Sequence, residues 1–198
     1  MKMNARTTSN YKDAVEVLKN GGVIVFPTET CYGIGCDARN SEAVKRIKEI
    51  KQRPGDMLIR LIVKDLEVAE EYGSFSDMAR DLVKRHWPGP LTVVVPEGKK
   101  KLSSELAQNG TVGMRVSSDE VVSKIMAEVD FPIVATSANI HDEPSAYRVE
   151  DAVAQFKKAG MEPDLYLDGG ELEPTPPSMI IEIVDGEVVV HRQGSFKL

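Results

Sequence analysis

A chain of 198 residues, 41% hydrophobic and 28% charged, is ample for a sizeable core and reads as a soluble, globular protein. Its net charge of −6 argues against broad nonspecific nucleic-acid binding, which needs a basic face. No apolar run approaches the roughly 18–20 residues of a membrane span, the N-terminal Met1-Lys2-Met3-Asn4-Ala5-Arg6 lacks the apolar core of a secretory signal, and two cysteines are too few for a secreted disulfide framework, so the expected compartment is the cytoplasm.

In chain order, Asn10 can cap a helix over 11–19 that shows Ala14, Val15 and Leu18 on one face and ends at Gly21. The unbroken apolar run 23–26 predicts a buried strand. Ala43, Val44, Ile47 and Ile50 mark one face of a second helix, begun by Ser41 and stopped before Pro54. A strand follows over 59–63, then helices over 66–72 and 77–86. Trp87-Pro88-Gly89-Pro90 is a rigid turn into a strand over 91–95. Residues 112–116 read as a strand carrying Arg115, 120–129 as a helix, 132–135 as a strand, 151–158 as a helix and 165–167 as a short strand. Strands over 179–184 and 187–191 flank Asp185-Gly186, a type I′ hairpin signal. Without internal repeats or a Gly/Ser linker, this alternation predicts one α/β domain over 1–198: a twisted sheet of mixed direction, flanked by helices.

The polar residues that could do chemistry gather at strand ends and turns, where α/β folds place ligands. They are Thr28/Thr30/Tyr32, Lys51/Arg53, Thr111/Arg115, Ser137/Asn139/Ser145 and Ser178/Arg192. Hydroxyls and amides orient a ligand, while Lys and Arg receive carboxylate or phosphate. Arg115 interrupts an apolar strand, so its guanidinium is expected to meet an anion, whether a ligand or a surface acid. The basic runs Lys99-Lys100-Lys101 and Lys84-Arg85-His86 read as solvated turns and helix ends. No phosphate loop, dinucleotide fingerprint or nucleophile elbow is present. Cys31 and Cys36 with the scattered His86, His141 and His191 make no metal site. The residues describe a site that binds and orients anions rather than one that attacks.

At these residues the chain resembles the YrdC-like family of threonylcarbamoyl-AMP synthases, from about residue 11 to 194. The carrying segments are Phe26-Pro27-Thr28-Glu29-Thr30-Cys31-Tyr32-Gly33-Ile34-Gly35, Lys51-Gln52-Arg53-Pro54, Trp87-Pro88-Gly89-Pro90-Leu91-Thr92, Val112-Gly113-Met114-Arg115-Val116, Thr136-Ser137-Ala138-Asn139 with Pro144-Ser145, Pro177-Ser178-Met179-Ile180 and Arg192-Gln193-Gly194. The resemblance implies a YrdC-like fold with a concave ligand cavity. It implies synthesis of threonylcarbamoyl-adenylate from L-threonine, bicarbonate and ATP, with pyrophosphate leaving and Mg²⁺ carried mainly by the phosphates. A separate tRNA threonylcarbamoyl transferase would consume the product, and direct binding of double-stranded RNA or tRNA is a further partner expectation. By the same resemblance, Lys51, Arg53 and Arg115 would neutralise charge in the reaction. Thr28, Arg60, Arg115 and Ser178 would hold threonine. Lys51, Thr111, Ser137, Asn139, Ser145 and Arg192 would hold the nucleotide.

The chain departs from the family pattern after Pro54. The family continues with a basic residue and then Pro-Leu-Ser or Pro-Leu-His, whereas this chain has Gly55-Asp56-Met57-Leu58-Ile59-Arg60. Gly55 removes a phosphate cation, and Arg60 either supplies one or crowds the threonine pocket. Met179 replaces the usual threonine after Ser178. Ending soon after Gly194, the chain is expected to be a short form without the extra C-terminal domain of some relatives. The competing expectations are a non-catalytic, RNA-binding or regulatory paralogue and a carbamoyl-phosphate-handling domain of hydrogenase maturation.

Overall fold

The computed structural model describes residues 5–52, 60–106 and 110–195. These residues form a ten-stranded mixed sheet and six helices. The strands are β1 (Arg6–Thr8), β2 (Ile24–Phe26), β3 (Gly33–Gly35), β4 (Arg60–Ile62), β5 (Leu91–Pro96), β6 (Thr111–Arg115), β7 (Ile133–Ser137), β8 (Leu165–Leu167), β9 (Met179–Val184) and β10 (Glu187–Arg192). The helices are α1 (Tyr11–Lys19), α2 (Ser41–Ile50), α3 (Leu66–Tyr72), α4 (Asp77–His86), α5 (Glu120–Glu128) and α6 (Val149–Ala159). The strand order is β1-β8-β2-β3-β7-β4-β6-β5-β9-β10. The pairs β1/β8, β2/β8, β4/β6 and β5/β9 are parallel and the remaining pairs antiparallel.

Side-chain acceptors define the helix starts by taking backbone N–H groups that have no partner inside the helix. Asn10 accepts from Lys12 N and Asp65 from Val68 N; Ser76 accepts from Ala79 N, and Asp119 from Val121 N and Val122 N. The cap of α2 is Asn40, which accepts from Ala43 N, and Ser41 is the first helical residue. Helix α6 has no side-chain cap and closes at Gly160 in the left-handed region. At the β9–β10 turn Asp185 and Gly186 both have positive φ, as a type I′ hairpin requires.

Alternation along the strands divides the interior in two. One core joins Val25, Ile34, Leu61, Val93, Met114 and Val134 to the apolar faces of α2, α3, α4 and α6. On the opposite face Ile24, Phe26, Ile62, Ile133 and Leu165 pack against Ala14, Val15 and Leu18 of α1 and Val122, Ile125 and Met126 of α5. Those two helices cover only part of their face. By alternation Arg60 lies on the same side as Ile62, Ala135 as Ile133, and Gly113 as Arg115, so this uncovered stretch carries polar residues where the other face carries core.

Two strands lie outside the sequence expectation. β1 is a three-residue edge strand of Arg, Thr and Thr, whose place depends on pairing with β8. β3 is Gly-Ile-Gly, held between β2 and β7. A Cβ on Gly35 would lie inside the van der Waals envelope of Val134 O and 2.9 Å from both Ile133 Cγ2 and Phe26 Cε1, so close strand approach rather than β propensity selects glycine there. Residues 168–178 lead from β8 to β9, seven strand positions apart.

Candidate functional site

The uncovered stretch of the sheet is the floor of a cavity of about 560 Å³, within the usual range of small-molecule sites. Its wall is made by Thr28, Thr30, Cys31, Gly33, Arg60, Arg115, Ala135, Thr136, Ser137, Ser145, Pro177, Ser178 and Arg192. Among these described lining residues are three arginines and six hydroxyls, and no carboxylate. Such a wall donates hydrogen bonds and positive charge to an anionic ligand.

The loop between β2 and β3 supplies the first side. Thr28 is 4% exposed, and its Oγ1 donates to Cys31 O at 2.7 Å. The same oxygen accepts from Thr30 N and Cys31 N, so one hydroxyl closes the turn. Tyr32 fastens the loop from beneath: its hydroxyl donates to Gly170 O at 2.7 Å and accepts from Gly169 N at 2.9 Å. Thr175 Oγ1 donates to Glu29 O and Thr30 O, which ties the 168–178 connection to the same loop.

Arg115 is 7% exposed and does meet an anion. Its Nη1 donates to Glu29 Oε1, while Ser117 Oγ donates to Glu29 Oε2 at 2.5 Å. Arg192 lies opposite: Nε and Nη2 donate to Ser178 O at 2.9 and 2.7 Å, and Nη2 also reaches Ser178 Oγ at 2.9 Å. Ser178 Oγ is in turn 3.2 Å from Thr92 Oγ1. Burial, and then the charge of Arg115, lower the pKa of Arg192 below its ordinary value. Burial raises the Cys31 thiol, against the opposing pull of Thr30 and Arg115.

Lys51 follows α2 and is 3% exposed. Its Nζ donates to Ser137 O at 2.5 Å, Asn139 O at 2.8 Å and Asn139 Oδ1 at 3.1 Å. Ser137 Oγ donates to Asn139 Oδ1 at 2.6 Å, and Asn139 Nδ2 to Glu143 O at 2.5 Å. The ammonium thus binds the turn that carries Ser137 and Asn139, and Lys51 itself is not among the lining residues.

Of the residues expected from sequence, the structure brings Thr28, Arg60, Arg115, Ser137, Ser145, Ser178 and Arg192 to one cavity. Asn139 and Lys51 stand behind it, joined to Ser137. Thr111 shares a strand face with Gly113 and Arg115, but it opens β6 at the end away from Arg115 and does not line the cavity. Arg53, Gly55 and Leu58 lie outside the described residues. Sequence reading did not single out Glu29, Cys31 or Pro177. Glu29 stands inside the quoted Pro27-Thr28-Glu29-Thr30 segment, but its partner is 86 residues away. Among the described residues no cluster of His, Cys, Asp or Glu could hold a metal, and no helix is long and apolar enough to cross a membrane.

Fold and site together define a single α/β domain with a cation-lined, hydroxyl-rich cavity on one sheet face. Residues 16–194 match the profile of the Sua5/YciO/YrdC family, whose description is telomere recombination, and the chain belongs to that family. It is 34% identical over 151 residues to the threonylcarbamoyl-AMP synthase of Vibrio vulnificus, a match covering 75% of this chain and 81% of that protein. The crystal structure of Pyrococcus abyssi Sua5 complexed with L-threonine superposes with a TM-score of 0.83 at 32% identity, over 93% of this chain and 54% of that one. The Escherichia coli YciO crystal structure gives a TM-score of 0.82 at 27% identity, over 96% of this chain and 94% of that one. The chain therefore spans about half the length of the Pyrococcus protein and most of the length of the other two.

Proposed function

We propose that the cavity joins L-threonine, bicarbonate and ATP into L-threonylcarbamoyl-adenylate, a nucleotidyl transfer that releases pyrophosphate. The observation that carries this reading is the wall itself: three arginines and six hydroxyls with no carboxylate, in a domain of a family whose relatives bear the synthase name. In the reaction the threonine amine bonds to the carbon of bicarbonate, with loss of water, to give a carbamate. A carbamate oxygen then bonds to the α-phosphorus of ATP as the bond to the pyrophosphate oxygen breaks. No protein nucleophile is needed; positioning and neutralisation of phosphate and carboxylate charge are.

Thr28, Arg60, Arg115 and Ser178 form the threonine side in this reading, with Arg115 on the carboxylate. Ser137, Ser145 and Arg192 form the nucleotide side, with Asn139 and Lys51 holding the Ser137 turn. Arg53 adds phosphate charge, and Thr111, outside the cavity wall at the far end of β6, meets only the part of the nucleotide that extends beyond that wall. The arginines and hydroxyls fit phosphate oxygens, and with no carboxylate among the described lining residues Mg²⁺ is left to the triphosphate itself. The adenylate would pass to a transferase that modifies tRNA, in the cytoplasm, with RNA contact by this chain a part of the same proposal.

Pyrophosphate release tests the reading. Release from ATP and Mg²⁺ should require both threonine and bicarbonate. Nucleotide binding without release under the full mixture would overturn it and favour a non-catalytic paralogue.

A further inference from the structure

One carboxylate near the cavity has no part in the reaction as written. Glu29 sits in the loop between β2 and β3, and each of its carboxylate oxygens has a separate donor. Arg115 Nη1 takes Oε1 and Ser117 Oγ takes Oε2, and both donors come from alternate positions on one stretch of chain at the end of β6. Both side chains of the ion pair are largely buried, at 9% and 13% exposure. The loop that presents Glu29 is itself closed by Thr28 Oγ1 and tied to Thr175 through Glu29 O. Both bonds to its carboxylate therefore tie the Glu29 side chain to the end of β6.

A guanidinium has five N–H donors in a rigid fork, so holding one Nη fixes the direction of the others. Arg115 lines the cavity while Glu29 does not. Glu29 therefore grips the guanidinium at Nη1 from outside the cavity wall.

We propose that Glu29 is the positioning residue that holds the Arg115 guanidinium in the orientation that selects a ligand carboxylate. This rests on the reading that Arg115 takes the carboxylate of threonine. The role is distinct from a purely structural ion pair, because it couples residue 29 to one group of the ligand rather than to the fold as a whole.

The test compares calorimetric binding of L-threonine with that of L-threoninol, the amino alcohol lacking the carboxylate, in wild type, Glu29→Gln and Ser117→Ala. Wild type should prefer threonine by about tenfold or more, the worth of one good charge-assisted contact. In Glu29→Gln the preference should fall to about twofold or less, while threoninol binding and the KM for ATP stay within about twofold of wild type. Ser117→Ala keeps the ion pair and loosens only one carboxylate oxygen, so it should show a partial fall in the same ratio and covers the case in which Glu29→Gln does not fold. An unchanged ratio in both variants, with the two ligands weakened equally, would make the pair structural and overturn the inference. A raised ratio in Glu29→Gln would also overturn it, since Glu29 would then compete with the ligand for Arg115. A wild type that does not discriminate between the two ligands would refute the underlying assignment of Arg115 to the carboxylate.

Discussion

Replacing Lys51 with methionine separates a phosphate contact from a scaffold. Read from sequence, Lys51 is a charge that faces phosphate, and its removal should leave the fold intact. In the structure its ammonium is buried and donates to three oxygens of the Ser137–Asn139 turn at 2.5, 2.8 and 3.1 Å. Hydrogen bonds to a charged group contribute about 1.5–3 kcal/mol each, and the cost of keeping an ammonium out of water offsets part of that sum. A net loss of about 3 kcal/mol is expected for Lys51→Met, whose side chain fills similar volume but removes all three charge-assisted bonds, although Ser137 O still accepts from Asn139 N and Asn139 Oδ1 from Ser137 Oγ. At about 2–4 °C per kcal/mol for a chain of this size, the midpoint of thermal unfolding should fall by about 6–12 °C. Adenylate formation by the folded fraction should fall about a hundredfold, because Ser137 and Asn139 lose their fixed positions. Circular dichroism against temperature and pyrophosphate release at a temperature well below both midpoints measure the two effects separately. A midpoint within about 2 °C of wild type would refute the scaffold role.

Two further substitutions or probes address the floor and the wall. Gly35→Ala places a methyl group against Val134 O between β3 and β7, and overpacking of this kind costs about 1–3 kcal/mol or more; a midpoint lowered by less than about 2 °C would contradict the close approach. Burial raises the pKa of Cys31, so its thiolate is scarcer at neutral pH than that of an exposed thiol and its alkylation should accelerate with pH beyond the range where an ordinary cysteine levels off. Mass spectrometry should show iodoacetamide labelling at Cys31, slowed by ATP with threonine, and none at the fully buried Cys36; labelling unaffected by ligand would place the ligand elsewhere.

The parts of the fold with strong local signals were legible in sequence. Helices α1, α3 and α4 have the bounds that apolar spacing implies, and α2, α5 and α6 differ by a few residues at one end or both. The type I′ turn at Asp185-Gly186 followed from residue type alone. β1 and β3 carried no such signal, since Arg-Thr-Thr and Gly-Ile-Gly become strands through partners far away in sequence. β7 runs on to Ser137, past the apolar run that announced it, because its polar end pairs with Gly33 and faces the cavity. For the site, residue types and their places at strand ends picked out most of the wall. They left open whether Arg115 meets a ligand or an acid and did not point to Glu29 as that acid, and they gave no hint that the buried Lys51 turns to backbone carbonyls. Both depend on contacts 86 residues or more apart.

The central claim is that threonine, bicarbonate and ATP become one product in this cavity. Mass spectrometry of the nucleotide product formed with ¹³C-bicarbonate tests it most directly. The expected result is an adenylate with the mass of threonylcarbamoyl-AMP, heavier by the isotope difference and absent when threonine is omitted. An unlabelled product such as AMP or ADP, formed regardless of threonine, would contradict the account.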